Sequence, residues 1–149
     1  MFNIKKINSQ LEDFFKTKKD IIAVYLYGSY VKGKTTRRSD IDLAILLRPR
    51  HKRQPTTDLE IRFATQIQKI IREVEVEIRI LNSAPLFFQY KVISSGQLIF
   101  CSDYSERIEY ESDLISRYFD FKPLLDYYNK CMYKNIKEEY YGPGLRVHK

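Results

Sequence analysis

Apolar residues recur along this chain at two periods, and the switches between them predict the order of elements. Ile4, Ile7, Leu11, Phe14 and Phe15 fall on one stripe of a helix from Phe2 to about Lys18, an amphipathic helix suited to covering a sheet. Lys16 to Asp20 turns into a run of Ile, Val and Tyr from about Ile21 to Tyr27, which reads as a strand closed by Gly28-Ser29. A short basic helix or loop leads to a second strand, which carries Asp40 and Asp42 inside an otherwise apolar run ending at Leu47. Thr57 and Glu60 have capping-box spacing and open a helix that Leu59, Phe63, Ile67, Ile70 and Ile71 continue to about Glu73. The third strand, Val74 to Leu81, alternates cleanly. Val74, Val76, Ile78 and Ile80 share one face, and Glu75, Glu77 and Arg79 share the other.

Asn82 or Ser83 is placed to cap the next helix, with Pro85 in its first turn and Gly96 as its stop. Leu86, Phe87, Tyr90 and Ile93 form its apolar side, and Leu98 to Phe100 reads as a short fourth strand. From about Asp103 to Glu139 the period is helical again, and Pro123 predicts a kink or a fresh start around Phe121 to Pro123. Tyr110, Tyr118, Tyr127, Tyr128, Tyr133, Tyr140 and Tyr141 fall in or just after this segment, where they either pack on the sheet or offer an interaction surface. The last residues, GPGLRVHK, have no periodicity and are expected to be mobile.

This order predicts an α/β (α+β) fold: a small mixed sheet of about four strands, with helices on one face and the acids on the other. The first two strands are joined too briefly for a long crossover helix, which excludes a doubly wound dinucleotide fold. At 149 residues the chain reads as a single domain over 1–139, with 140–149 as the tail. Composition adds little. The formal charge of +7 suits polyanionic ligands but does not by itself assign nucleic acid. Arg48, Arg50, Lys52 and Arg53 form the densest basic stretch, either a guide for a triphosphate or acidic partner or a solvated loop. Cys101 and Cys131 lack metal-ligand spacing and read as reduced thiols, and His51 and His148 have no partner histidine or cysteine nearby in sequence. Apolar runs are of strand length and the N-terminus lacks a secretory pattern, so a cytoplasmic protein is expected.

The chemistry centres on Gly28, Ser29, Asp40 and Asp42. In an extended strand Asp40 and Asp42 point the same way, and two adjacent carboxylates repel unless a cation sits between them. Two oxygen donors at this spacing suit Mg²⁺ completed by waters and a phosphate. Gly28 permits close backbone approach to an anion, and Ser29 adds a hydroxyl at a helix start. Together these residues read as a nucleoside-triphosphate site without a P-loop. If the third strand lies beside the second, one of its glutamates completes the acidic cluster, unless Arg79 bridges Glu75 or Glu77 instead.

The stretch GSYVKGKTTRRSDIDL resembles the signature of the DNA polymerase β-like nucleotidyltransferase superfamily. With the short chain and the later VEVEIRILNSAP segment, the sequence is more narrowly similar to minimal nucleotidyltransferases of the MntA type, antitoxins paired with HEPN-domain toxins. The resemblance runs from about Ile21 to Lys134. The Leu81-Asn82 pair resembles the Leu-Asn that follows the family's third acid, which selects Glu77 where the family usually has Asp. The resemblance implies a catalytic and metal-binding triad of Asp40, Asp42 and Glu77, with Gly28 and Ser29 holding the terminal phosphates of ATP. Lys34, Arg37 and Arg38 are available to neutralise charge. It implies Mg²⁺-dependent transfer of AMP to a tyrosine of a HEPN-type ribonuclease toxin, within a hetero-oligomer with that toxin. Two other functions fit the residues: a module that silences its partner by covering it, and nucleotidyl transfer to RNA or a small molecule.

Overall fold

The structure of the protein, a computed structural model, describes residues 4–33, 39–49 and 55–141. Lys34, Arg37, Arg38, Arg50, His51, Lys52, Arg53 and the tail from 142 onward lie outside the described residues. The chain divides into two compact units, one ending at Leu114 and the other beginning at Ile115.

The first unit holds the whole sheet. Helix α1 (Ile4–Lys16) precedes strand β1 (Ile21–Tyr27), and the short α2 (Ser29–Lys32) leads toward β2 (Ile41–Leu47). Helix α3 (Thr56–Ile70) then connects to β3 (Val76–Ile80), and a 3-10 turn at Leu81–Ser83 leads to α4 (Leu86–Ser95) and β4 (Gln97–Cys101). The sheet order is β3-β2-β1-β4, antiparallel except for the parallel β2–β3 pair. A parallel pair requires a crossover, and α3 supplies it.

One sheet face packs Ile21, Val24, Leu43, Ile45 and Ile78 beneath α1 and α3, with Leu11, Phe15 and Ile67 completing the core. The sequence pattern predicted helices on this face alone. The opposite face is also covered over much of its area: Ile22, Ala23, Tyr25, Ala44 and Leu46 pack with Val92, Phe88 and Ile93 of α4 and with Tyr110. These sheet residues are as apolar as those beneath α1, so leaving them bare would forgo their burial. The acids occupy only the end of that face.

Several local expectations change for tertiary reasons. Strand β3 begins at Val76 rather than Val74. Helix α3 starts at Thr56 after Pro55 without a side-chain cap, so the Thr57–Glu60 capping box does not form. Glu60 instead accepts a hydrogen bond from the Ile80 backbone N–H at 3.0 Å, and Gln68 accepts from the Val76 N–H at 3.0 Å. Asn82 does not cap α4. Its amide donates to the Leu47 carbonyl (2.7 Å) and accepts from the Leu47 N–H (2.9 Å), clamping the end of β3 to the end of β2. Gly96 ends α4 as expected, although in extended rather than left-handed backbone. Glycine is required there by space, because a Cβ would lie 2.4 Å from the Val92 carbonyl oxygen and 3.0 Å from that of Leu26.

Helix α5 (Tyr104–Tyr141) begins in the first unit, where Asp103 accepts from the Glu106 N–H. Tyr25 donates to Glu111 at 2.6 Å, Arg107 donates to the same carboxylate oxygen at 3.1 Å, and Tyr110 donates to Gln89 at 2.6 Å. Arg48, counted in the basic stretch, is engaged structurally, with ion pairs to Asp103 (3.7 Å) and Glu106 (3.4 Å) and a hydrogen bond to the Lys19 carbonyl. The helix continues through Pro123 without a fresh start. In the second unit Tyr118 is buried, whereas Phe119, Leu124, Tyr127, Tyr128 and Tyr133 are exposed. Among the described residues no helix is long and apolar enough to cross a membrane.

Candidate active site

The acids meet at one end of the sheet because of strand register. Tyr27 pairs with Asp42 across β1–β2, and Asp42 pairs with Glu77 across β2–β3, so the three form one cross-strand row. Adjacent strands bring such partners within about 5 Å. Asp42 and Glu77 are direct cross-strand partners, and the charge of each bears on the other. Asp40 lies just before β2, its backbone region held by the Ile41 N–H donating to the Glu75 carbonyl at 2.8 Å. Its carboxylate is exposed and close enough to act on the charge of Asp42. With Glu60, Glu75 and Glu77 it lines a hollow of about 380 Å³ beside β3.

Gly28 and Ser29 sit where β1 ends and α2 begins. Gly28 has φ 80° and ψ −150°, a conformation nearly confined to glycine, and a Cβ there would lie 2.3 Å from Asp42 Oδ2. The turn therefore lies directly against the Asp42 carboxylate, which brings the Gly-Ser and Asp-x-Asp segments together. Its carbonyl accepts from the Val31 and Lys32 N–H groups, starting α2.

The Asp42 carboxyl is pushed up to about 6, first by burial, then by the charges of Glu77 and Asp40. Tyr27 is raised as well, by burial and then by the charges of Asp42 and Glu77, so its hydroxyl stays protonated at neutral pH. The folded pKa of Asp42 exceeds the ordinary 3.8, so between about 4 and about 6 the folded state binds more protons than the unfolded chain. Stability of the metal-free protein should fall as pH rises through that window. Calorimetric melting in EDTA across pH 4 to 7 tests this, with Asp42→Asn expected to flatten the fall; an unchanged slope would contradict the pairing.

Among the described residues, no three His, Cys, Asp or Glu side chains are gathered closely enough to form a metal site as they stand. The donor set nevertheless fits a hard divalent cation. It consists of carboxylate oxygens alone, and Asp42 sits where like charges meet, raised by burial and by the charges of Glu77 and Asp40, an arrangement that a cation relieves.

The sequence pattern left open whether Arg79 bridges Glu75 or Glu77. Among the described residues it forms no ion pair with either, and its guanidinium lies over the Phe88 ring, 5.1 Å from the centroid. Phe88 in turn meets Tyr27 edge-on at 5.4 Å. Tyr27 and Phe88 thus border the acids without having been singled out from the sequence. Tyr27 was recoverable, since it directly precedes Gly28, but nothing in the α4 pattern distinguishes Phe88 from Phe87.

Comparison with known proteins bears on what this geometry serves. Residues 9–105 match the family model described as polymerase beta, nucleotidyltransferase. No curated protein matches the chain. A solved toxin–antitoxin structure with AMP-PNP is similar at TM-score 0.64 and 19% identity, covering 80% of this chain and 95% of the other. A complex of tri-AMPylated Shewanella oneidensis HEPN toxin with MNT antitoxin is similar at TM-score 0.60 and 16% identity, covering 82% and 95%. The MntA–HepT toxin–antitoxin structure is similar at TM-score 0.60 and 16% identity, covering 82% and 96%. At these identities the likeness is one of fold.

Proposed function

Because this chain belongs to the polymerase beta nucleotidyltransferase family, we propose that it transfers AMP from ATP to a tyrosine hydroxyl of a HEPN-type toxin and so acts as the antitoxin, in the cytoplasm and in complex with that toxin. The observation that carries this reading is the cross-strand row of Asp42 and Glu77 with the Gly28 turn lying against Asp42, which supports the acids and the turn acting together on a triphosphate. The structurally similar chains, solved with HEPN toxin and with AMP-PNP, support the choice of partner and nucleotide.

In this reading the acceptor oxygen attacks the α-phosphorus, the bond from that phosphorus to the bridging oxygen breaks, and pyrophosphate leaves. Catalysis then rests on positioning and charge neutralisation. Asp40, Asp42 and Glu77 would hold Mg²⁺, which when bound neutralises charge on the phosphates. Glu77, exposed at the edge of the row, is suited to accept the hydroxyl proton. Gly28 and Ser29 orient the leaving phosphates through the turn's backbone and the Ser29 hydroxyl. A bulky anion added to the toxin would obstruct a surface that must bind RNA phosphates.

The exposed Phe119, Leu124, Tyr127, Tyr128 and Tyr133 favour a second reading, silencing by coverage alone. Intact mass spectrometry separates the two. Sub-stoichiometric protein with Mg-ATP and a HEPN-type partner from the adjacent gene should add AMP increments to that partner. An unmodified partner that is silenced only at equal concentration would replace transfer with coverage.

A further inference from the structure

Two parallel rows cross the acidic face of the sheet. The first is Tyr27–Asp42–Glu77, and the second, two residues further along β2 and β3, is Tyr25–Ala44–Arg79. Ala44 contributes only a methyl group to the second row. Arg79 therefore stands about 7 Å along β3 from Glu77, on the same face. A guanidinium so near the acids would ordinarily fold onto a carboxylate. Here it is seated on the ring of Phe88 at 5.1 Å, and Phe88 is braced edge-on by Tyr27 at 5.4 Å. Arg79 and Phe88 are both partly exposed, and among the described residues Arg79 makes no ion pair. A planar cation held by an aromatic shelf and not neutralised by a carboxylate is suited to a phosphate from outside the chain.

Its position indicates which phosphate. An in-line displacement puts the leaving and attacking oxygens on opposite sides of the α-phosphorus. The Gly28–Ser29 turn belongs to the β1 side of Asp42, and Arg79 belongs to the β3 side. If the turn holds the leaving phosphates, Arg79 faces the acceptor. An unmodified tyrosine brings no anion to that side, whereas a tyrosine already carrying AMP brings a phosphodiester and an adjacent ribose hydroxyl.

Resting on the transfer reading above, we infer that Arg79, seated on Phe88, is an acceptor-side subsite for the phosphodiester of an AMP already transferred, positioning its ribose hydroxyl for a further addition. In that addition the ribose oxygen bonds to the α-phosphorus of a second ATP, pyrophosphate leaves, and the hydroxyl proton passes to a carboxylate of the acid row. Arg79 forms no covalent bond. It fixes the acceptor and thereby sets how many AMP units accumulate.

The test is a time course of intact mass on the HEPN-type partner, with wild type, Arg79→Ala and Arg79→Lys. Arg79→Ala should leave the first addition within about twofold and slow the second at least about tenfold, the scale of one lost charge-assisted hydrogen bond. Arg79→Lys should recover part of the second step. A merely structural role would slow all additions together, and that result overturns the subsite. Calorimetry in Mg-AMP-PNP provides an independent reading, with adenylylated tyrosine amide as the probe, and Arg79→Ala should weaken it about tenfold. Arg79-dependent binding without any transfer by wild type would remove the proposed function and leave the subsite standing. Transfer with no change in ladder or binding would remove the subsite and leave the function. Extension of an RNA 3′ end that fails in Arg79→Ala, with the protein ladder unaffected, would overturn the assignment to a protein acceptor.

Discussion

Asp42→Asn should lower AMP transfer by about a hundred- to a thousandfold while leaving the fold intact or slightly firmer at neutral pH. The two halves of this expectation have one cause. Asp42 is half-buried against Gly28 and paired with Glu77, so its ionisation is opposed by desolvation and by like charge. Asparagine has nearly the same shape, can donate to the Glu77 carboxylate and removes the repulsion. The same substitution deletes the carboxylate that the proposed chemistry needs most, because Asp42 lies at the centre of the acid row. Intact mass spectrometry and thermal melting at pH 7 measure the two effects on one preparation. Loss of activity accompanied by a large drop in melting temperature would indicate that Asp42 holds the sheet together instead, and transfer retained within tenfold would remove it from the chemistry.

Gly28→Ala should be nearly as damaging to transfer and, unlike Asp42→Asn, should also destabilise the protein. The backbone at φ 80° and ψ −150° costs a side-chain-bearing residue about 1–3 kcal/mol. The new methyl would also lie 2.3 Å from Asp42 Oδ2, so either the turn or the carboxylate must move. Gly33→Ala is the control. Gly33 is left-handed at φ 69°, but a methyl added there would meet nothing within 4 Å, so that variant should lose stability and keep activity. Equal loss of transfer in both variants would assign the effect to backbone strain and not to displacement of Asp42.

The contrast between Gly28 and Gly33 shows what a sequence can and cannot convey. Apolar runs and alternation were enough to outline β1, β2 and β3, and they put Asp40 with Asp42 on one face of the second strand and Glu75, Glu77 and Arg79 together on one face of the third. The parallel pairing of β2 with β3 then sets Asp42 opposite Glu77, the glutamate that the resemblance of Leu81-Asn82 to the family's Leu-Asn had selected. Side chains that act at a distance were not legible. Glu60 has the spacing of a capping residue and reaches β3 instead, and Asn82 has the composition of a helix cap and clamps two strand ends. Local rules rank only the nearest backbone groups, and in both cases a partner at least 20 residues away wins. The seat of Arg79 on Phe88 depends on the docking of α4, which leaves no mark in the spacing of its residues.

Glu60 and Gln68 have a consequence for how the protein behaves in a crowded cell. Strand β3 is the outermost strand on its side of the sheet, and a bare edge invites a strand from another chain. Two of its backbone donors, those of Val76 and Ile80, are already taken by side chains of α3. An incoming strand would have to strip both hydrogen bonds before it could pair. The acids of the proposed site therefore stand at a sheet margin already guarded against strand pairing at two of its backbone donors.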